Sequence, residues 1–331
     1  MSQTVHIQQD RDFLYNTLLN RVARSFYLTL KLLPPEIHDT LSLTYLLARI
    51  TDNIIDDVSL SYYKKIYFIY LLRNEILEKS DESNKSAFDK IQLSLINVIA
   101  DKDLLKALPL CLHYFLALPP ADKQLALKAL LTIFSGFERD ADTFTYRNKI
   151  VSLKKISDLD KYLYEIAGSV GEFWTELCFL HWPNYSKLSL PEAKTLGINF
   201  GKALQLVNIL RDLPTDLQSN RCYMPTELLI REQINIADLR NNIELISPLA
   251  DEWREQAEKY LISARKYIKN VKMKSLRFPI LLPYFIAIKT LELLEDHSYL
   301  SDVRLAKIDH IELKIVFFKA KLASVIPQLF L

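Results

Sequence analysis

The chain has 331 residues, of which 50% are hydrophobic and 25% are charged, a balance typical of a folded globular protein and incompatible with wholesale disorder. Its 42 lysines and arginines are nearly balanced by 40 aspartates and glutamates, so no excess of basic charge points to a nucleic acid partner. Only 5 residues are glycine, which argues against glycine-rich nucleotide-binding loops and against folds with many tight turns.

Most of the chain is predicted to be helical, because apolar residues recur at spacings of three and four and breakers separate the periodic runs. The predicted helices are, in chain order, 13–33, 41–55, 62–77, 88–99, 104–118, 123–137, 161–180, 191–213, 249–271 and 278–295. Pro34 and Pro35 are predicted to end the first helix, and the polar segment 79–86 is predicted to be a loop. Long alternating strand patterns and linker-like composition shifts are absent, so residues 1–331 are predicted to form a single all-α domain.

The sequence also bears on location. Its first residues, MSQTVHIQQDRDF, contain no basic segment followed by an apolar run, so no secretory signal is expected. The apolar stretches 107–121 and 278–288 are shorter than the roughly 20 residues that a spanning helix needs. The 3 cysteines are far apart and none forms a CxxC pair, which is typical of a reducing compartment. We therefore expect a cytoplasmic protein.

The C-terminal segment 315–331, IVFFKAKLASVIPQLFL, has two interpretations. Its apolar periodicity favours a last helix that docks on the core, which is the simpler expectation. The same segment is a candidate for peripheral contact with a membrane, with Lys319 and Lys321 at the level of the headgroups.

Several catalytic motifs are absent from the sequence, namely GxxxxGK[ST], GxGxxG, HExxH and GxSxG. None of the 6 histidines follows an acidic residue by three positions, which excludes the Glu-x-x-His pattern of di-iron bundles. Gly168 and Gly171 lie within an apolar helical run. A glycine pair there favours close helix packing or close approach of the backbone to a ligand.

Two aspartate pairs remain as candidates for chemistry: Asp52 with Asp56, and Asp212 with Asp216. A spacing of four places both carboxylates of a pair on one helical face, about 6 Å apart at Cβ, which suits hard cations bound through oxygen. Chance alone would give about five such acidic pairs among 40 acids, so the pairs by themselves indicate little.

The neighbours of the two pairs carry more information. The first polar stripe has spacings of 4, 3 and 4 and consists of Tyr45, Arg49, Asp52 and Asp56. The second has spacings of 3, 4 and 4 and consists of Gln205, Asn208, Asp212 and Asp216. Both stripes lie on otherwise apolar helices and lack the lysines of a typical solvated face, so we favour a polar cavity within the bundle over a surface position.

Two facing rows of carboxylates would repel each other unless cations bridge them, and Mg²⁺ commonly completes its shell with substrate phosphates. The implied ligand is a diphosphate, and an apolar cavity beside the metals suits a diphosphate with a hydrocarbon tail. Arg24, Arg49 and Arg211 lie beside the motifs and are candidates to neutralise phosphate oxygens. The alternative for each arginine is an ion pair with a neighbouring aspartate.

Four ordered segments resemble the squalene/phytoene synthases, a family that joins two prenyl diphosphates head to head. These segments are RSFYLTLKLLP at 24–34, YLLARITDNIIDD at 45–57, YLYEIAGSVGE at 162–172, and QLVNILRDLPTD at 205–216 followed by RCYMP at 221–225. Order and spacing agree over about 200 residues, which makes the combination far more specific than any one segment.

The resemblance implies a single-domain isoprenoid synthase fold, an all-α helical bundle around a central cavity. It implies that Mg²⁺ is bound by Asp52, Asp56, Asp57, Asn208, Asp212 and Asp216. It assigns substrate binding to Arg24, Ser25, Phe26, Arg49, Tyr164, Gly168, Gln205, Asn208 and Arg211. Catalysis falls to the four stripe aspartates together with Arg49 and Tyr45. Tyr45 is a candidate to hold a proton or stabilise a cation, with a packed core tyrosine as the alternative.

The sequence also departs from the family. Ile55 and Thr215 stand where eukaryotic squalene synthases have glutamates, and Glu165 stands where many members have tyrosine or glycine. Pro214 interrupts the second motif, and a kink there would re-aim Asp216.

The predicted function is Mg²⁺-dependent condensation of two farnesyl diphosphates through presqualene diphosphate to squalene, with reduction by NADPH. Chain length and the acidic Asp57 favour squalene slightly. The alternatives are a phytoene or dehydrosqualene synthase, which has no reduction step, and a non-catalytic prenyl-lipid binding protein of the same fold. The expected partners are prenyl diphosphates and no nucleic acid.

Overall fold

A computed structural model describes residues 8–23, 26–96, 98–99, 101–145, 148–327 and 330. The chain divides into two compact units, Met1–Thr145 and Tyr146–Leu331, and each is described on its own. The single-domain organisation of residues 1–331 stays a prediction.

The first unit is helical throughout its secondary structure, and its first helix, described from residue 8, is π-helical at Phe13–Leu18. Its α-helices are α1 (Leu19–Ala23), α2 (Phe26–Lys31), α3 (Pro35–Asp56), α4 (Tyr62–Ile76), α5 (Glu82–Ile96), α6 (Lys102–Lys106), α7 (Leu108–Leu116) and α8 (Pro120–Phe144). Helix α3, which carries the first stripe, packs against α7 and α8, and α4 packs against α5 and α8.

The second unit is also helical apart from a two-residue parallel strand pair, β1 (Val151–Ser152) and β2 (Arg221–Cys222). Its α-helices are α9 (Ile156–Leu163), α10 (Ser169–His181), α11 (Leu190–Gln218), α12 (Thr226–Arg231), α13 (Ser247–Asn270), α14 (Lys274–Leu293), α15 (Ser298–Ser301) and α16 (His310–Val325). A π-helical turn, Tyr164–Gly168, joins α9 to α10. Short 3₁₀ segments lie at Asp238–Arg240, Ile243–Ile246 and Val303–Ala306. Helix α11, which carries the second stripe, packs against α10, α13 and α14.

The all-α prediction is confirmed, but some predicted boundaries are wrong. The run 13–33 is π-helical at Phe13–Leu18 and its last described helix ends at Lys31, and α3 begins at Pro35, six residues before the predicted start at position 41. A proline in the first turn loses no helical hydrogen bond, since the first amides have no partner. The predicted loop 79–86 is helical from Glu82, and the Asp81 carboxylate accepts the amide of Asn84 at 2.7 Å as a cap.

Helix α11 continues through Pro214 to Gln218, beyond its predicted end at Leu213. An interior proline lacks the amide proton that the helix needs at that position. The next residue, Thr215, adds a local hydrogen bond, because its hydroxyl donates to the carbonyl of Asp212 at 2.7 Å. Asp212 and Asp216 therefore remain on one continuous helix.

Helices α10 and α11 cross with their backbones in contact at glycines. A Cβ atom added to Gly171 would lie 2.0 Å from the carbonyl oxygen of Gly197, and one added to Gly201 would lie 2.1 Å from the carbonyl oxygen of Ala167. The close-packing interpretation of Gly171 is therefore correct. The crossing fixes the π-helical turn and α10 against the helix that carries the second stripe.

Candidate active site

The first stripe occupies the one open face of α3. Between positions 41 and 56, the residues that are not buried are Tyr45, Ala48, Arg49, Asp52, Asn53 and Asp56. All four predicted stripe residues are in this set, and the apolar residues between them, apart from Ala48, are in the core. The helix thus presents its polar row on a face that a ligand can reach.

Asp52 is the most perturbed acid of this stripe. Burial and the negative charge of Asp56 raise the pKa of the Asp52 carboxyl from 3.8 to about 7, and Arg49 opposes the rise. The guanidinium of Arg49 donates from Nη1 to Oδ2 of Asp52 at 2.5 Å. The Asp52 side chain still has 31% of its surface exposed, so it lies at the edge of the solvent rather than in the core. A cation bound here would relieve the repulsion between the two carboxylates.

A third acid contributes to the same cluster and was missed in the sequence. Asp140 on α8 is 5% exposed, and its charge adds to the rise in the pKa of Asp52. The predicted helix ended at position 137, so Asp140 fell outside it. Extending the apolar period of α8 by one turn would have placed Asp140 on the face that packs against α3.

Tyr45 and Phe26 pack against each other at the start of the stripe, with ring centroids 5.5 Å apart. The Tyr45 hydroxyl donates to the carbonyl oxygen of Val22 at 3.3 Å. These contacts fit a packed tyrosine, and they bring the two predicted residues together. The other two predicted residues of this segment, Arg24 and Ser25, lie outside the described residues.

Asp57 lies just past the end of α3 and closes the next turn. Its Oδ1 accepts the backbone amide of Ser59 at 2.8 Å and the Ser59 hydroxyl at 2.5 Å. Asp57 thus has a structural task that Asp52 and Asp56 do not share. Ile55, at the position of a family glutamate, is 2% exposed and belongs to the core.

The second stripe occupies a comparable face of α11. Gln205, Asn208, Asp212 and Asp216 are all partly exposed, and no side-chain hydrogen bond engages the two amides within the described residues. Arg211 donates to Asp212 through Nε to Oδ1 at 2.8 Å and Nη2 to Oδ2 at 2.6 Å. This hydrogen bonding to Asp212, with the nearby charge of Asp216, raises the pKa of Arg211. The arginine therefore stays charged beside both aspartates.

Tyr164 and Gly168 lie on the π-helical turn that packs against α11. The Tyr164 hydroxyl donates to Oε2 of Glu172 at 2.8 Å. Burial and this hydrogen bond raise the pKa of Tyr164 to about 12. A Cβ atom on Gly168 would lie 3.1 Å from the Tyr164 ring and 3.3 Å from Ile198, so Gly168 is enclosed by side chains. Glu165, on the same turn, is 5% exposed, and its Oε1 lies 3.9 Å from Nζ of Lys161.

Among the residues that the structure describes, no three or more acidic, histidine or cysteine side chains are grouped closely enough to hold a metal unaided. Each stripe instead offers a pair of carboxylates one turn apart on an open face. Such a set fits Mg²⁺, which prefers oxygen ligands and keeps several waters and substrate phosphates in its shell.

Comparison with known proteins identifies the relatives of this arrangement. The family model for squalene/phytoene synthase matches residues 19–312. The chain is 28% identical over 263 residues to a bifunctional lycopene cyclase/phytoene synthase of Arthroderma gypseum, covering 77% of this chain and 42% of that protein. It is 25% identical over 279 residues to the squalene synthase of Saccharomyces cerevisiae, covering 83% of this chain and 60% of that protein.

The fold has a close match among solved structures. TcSQS in complex with a ligand superimposes with a TM-score of 0.72 at 18% identity, covering 97% of this chain and 89% of that chain. The likeness shows that this chain has the all-α isoprenoid synthase fold. The chain spans less than two thirds of the length of the two relatives named above.

Proposed function

The chain belongs to the squalene/phytoene synthase family, and from that premise we propose that it condenses two prenyl diphosphates head to head. One observation carries the proposal. Each aspartate pair lies on an open face of its helix beside buried apolar residues, with an arginine paired to one of its two carboxylates. The two carboxylates of a pair suit the positive metal ion, and the neighbouring arginine suits the negative diphosphate.

Mg²⁺ would be held by Asp52 and Asp56 on the first stripe and by Asp212, Asp216 and Asn208 on the second. When bound, the ion neutralises diphosphate oxygens and stabilises pyrophosphate as a leaving group. The repulsion among Asp52, Asp56 and Asp140 supports this assignment, because it is a cost in the metal-free chain that a cation removes.

The chain's own residues have separate tasks in the proposed reaction. Arg49 and Arg211 bind diphosphate oxygens after exchanging their aspartate partners. Gln205 and Asn208 contribute side-chain amides that form no hydrogen bond within the described residues. In the first step, two farnesyl diphosphates form a cyclopropane ring, releasing one pyrophosphate and one proton. In the second, presqualene diphosphate loses its pyrophosphate and accepts a hydride from NADPH, which leaves as NADP⁺.

Squalene is the product that we propose. The retained acid at Asp57 supports this choice, and relatives named as squalene synthase and phytoene synthase are both similar to the chain. The test is incubation of the purified protein with labelled farnesyl or geranylgeranyl diphosphate, Mg²⁺, and NADPH or none. A reduced C30 hydrocarbon that appears only with NADPH supports squalene. An unreduced C30 or C40 product overturns squalene in favour of dehydrosqualene or phytoene.

The non-catalytic alternative makes a different prediction in the same assay. Ile55 and Thr215, in place of family glutamates, favour it. The four stripe aspartates oppose it. A lipid-binding protein would retain the labelled diphosphates without releasing pyrophosphate from either.

We also propose that α16 contacts a lipid surface. The helix docks on its own unit through Val316, Ala320 and Ala323, which are buried, as the simpler expectation required. Its opposite face remains uncovered, with exposures of 70, 61, 62, 56 and 56% at Ile311, Ile315, Phe318, Leu322 and Val325. Spacings of 4, 3, 4 and 3 make these residues one continuous apolar stripe.

Charge at the edge of this stripe favours an anionic membrane as the partner. Lys314 and Lys321 are exposed beside it, and neither forms an ion pair within the described part of the chain. Lys319 instead lies over the ring of Phe285, with Nζ 4.6 Å from the centroid. No helix of the described residues is long and apolar enough to cross a bilayer, so contact would be peripheral.

Sedimentation with phosphatidylglycerol vesicles tests the contact. The wild type should sediment with these vesicles, and the double variant Ile315→Asp, Phe318→Asp should stay in solution. Ile262→Asp is the matched control, since Ile262 is 68% exposed on a different helix, α13. Wild-type protein that does not sediment with the vesicles, or that dimerises through these residues instead, would exclude the membrane as partner.

A further inference from the structure

The first aspartate pair lies at the unfavourable end of its helix. Helix α3 ends at Asp56, and its last turn contains no basic residue. The carboxyl end of a helix carries a partial negative charge, so acids in the last turn are repelled by it. Arg49 pairs with Asp52 from one turn earlier, and a further positive charge near the end of α3 would offset the repulsion there.

Lys65 supplies such a charge. It is 3% exposed and is the one lysine or arginine among the buried side chains of the described residues. Its Nζ donates to the carbonyl oxygen of Ile55 at 2.5 Å. That oxygen belongs to the peptide that joins Ile55 to Asp56, so the ammonium contacts the backbone of the last turn of α3 next to the second aspartate of the pair. Lysine is almost never fully buried unless it is paired.

The position of Lys65 in its own helix gives it no local advantage. Lys65 is in the first turn of α4, where a positive charge is unfavourable because the amino end of a helix is itself positive. The connection between α3 and α4 is short, and in it Asp57 accepts hydrogen bonds from Ser59. It brings the first turn of α4 next to the end of α3. The charge of Lys65 is therefore favourable at the end of α3 and unfavourable at the start of its own helix.

We infer that Lys65 is a positioning residue for the metal site. Its hydrogen bond holds the last turn of α3 in helical form, and its charge offsets the acids there, so that Asp52 and Asp56 stay on one face. This inference rests on the proposed function, since it concerns how the carboxylates hold Mg²⁺ with a diphosphate.

The test is calorimetric binding of Mg²⁺ with inorganic pyrophosphate to the purified full chain. Lys65→Met should keep the helical circular dichroism of the wild type but bind the probe about tenfold more weakly. Lys65→Gln keeps a donor without the charge and should also lose affinity, which covers the case in which the methionine variant does not fold. Lys64→Met is the matched control, because Lys64 is exposed at the adjacent position.

The outcomes separate the two levels of the proposal. A folded Lys65→Met or Lys65→Gln variant with wild-type affinity would overturn the role of Lys65 while leaving the metal site intact. Equal losses in Lys64→Met would also overturn it, because the effect would then be general surface charge. Wild-type protein that binds no probe would overturn the proposed function, and the role of Lys65 with it.

Discussion

Arg211 and Asp212, adjacent in sequence, are joined by two hydrogen bonds of 2.8 and 2.6 Å on the open face of α11. The same relationship recurs on α3, where Arg49 and Asp52 are joined at 2.5 Å. In each stripe the arginine that would bind phosphate is instead paired with the aspartate that would bind metal. On the proposed function, binding of a metal diphosphate would separate both pairs and give each residue a partner from the ligand.

The forked geometry of Arg211 should matter as much as its charge. Arg211→Lys keeps the charge but cannot form two parallel hydrogen bonds, and we expect kcat/KM to fall about 10-fold. Arg211→Met removes both and should lower it about 100- to 1,000-fold, as removal of one charge-stabilising donor does in other enzymes. Steady-state pyrophosphate release measures both variants. A lysine variant as active as wild type would show that only charge is needed.

We expect Asp52→Asn to lose activity but to gain stability at pH 8. The pKa of Asp52 is raised in the folded state from 3.8 to about 7, first by burial and then by Asp56. The folded chain therefore binds this proton more tightly than the unfolded chain, and stability falls as the pH rises from about 4 to about 7. The variant removes this loss, so it should be more stable than wild type at pH 8 and no more stable at pH 4.

The expected gain is on the order of 1 kcal/mol at pH 8, less than the pKa shift alone implies, because solvent screens a side chain that is 31% exposed. Urea unfolding of the metal-free proteins at both pH values measures it. A variant that is less stable than wild type at pH 8 would show that the ion pair with Arg49 outweighs the repulsion from Asp56.

Asp56 and Asp57 should behave differently although they are adjacent. Asp57→Asn can still accept the Ser59 amide and hydroxyl, so the turn is kept and activity should fall less than about threefold. Asp56→Asn removes a stripe carboxylate and should lower pyrophosphate release by about 100-fold or more. Equal losses in the two variants would place Asp57 among the metal ligands, as the family resemblance implies.

Gly171→Ala should destabilise the second unit even though alanine is the better helix former. The added methyl group would lie 2.0 Å from the Gly197 carbonyl oxygen, and backbone cannot move aside cheaply. Overpacking costs about 1–3 kcal/mol and helix propensity returns about 1, so we expect a net loss of up to about 2 kcal/mol. Gly168→Ala is the control, since its nearest contact is the Tyr164 side chain at 3.1 Å. Thermal unfolding that ranks the two variants in reverse would contradict the crossing geometry.

Periodicity was sufficient for the fold class and for the two stripes. Apolar residues three and four positions apart marked nearly every long helix, and the eight predicted stripe residues on α3 and α11 all remain open. Both arginine–aspartate pairs were predicted by the alternative interpretation, in which an arginine forms an ion pair with a neighbouring aspartate. Those features depend on spacing along one helix, which the sequence contains directly.

Features that depend on tertiary contacts were beyond this reasoning. Asp140 reaches the first stripe from α8, and its role needs knowledge of which face of that helix meets α3. Lys65 reads as one of two adjacent lysines, and only packing shows that it is buried while Lys64 is exposed. The predicted boundaries at Pro35 and Pro214 failed because proline was treated as a breaker, whereas Pro35 stands in the first turn of α3 and α11 continues through Pro214.

The most direct test of the account is pyrophosphate release from farnesyl diphosphate with Mg²⁺, by the wild type, Asp52→Asn, Asp212→Asn and Asp103→Asn. The last is a control on an aspartate whose side chain is 65% exposed. The account predicts steady release by the wild type and the control and a loss of about 100-fold or more in each stripe variant. Release that survives removal of either stripe aspartate, or wild-type protein that releases none from farnesyl or geranylgeranyl diphosphate, would contradict it.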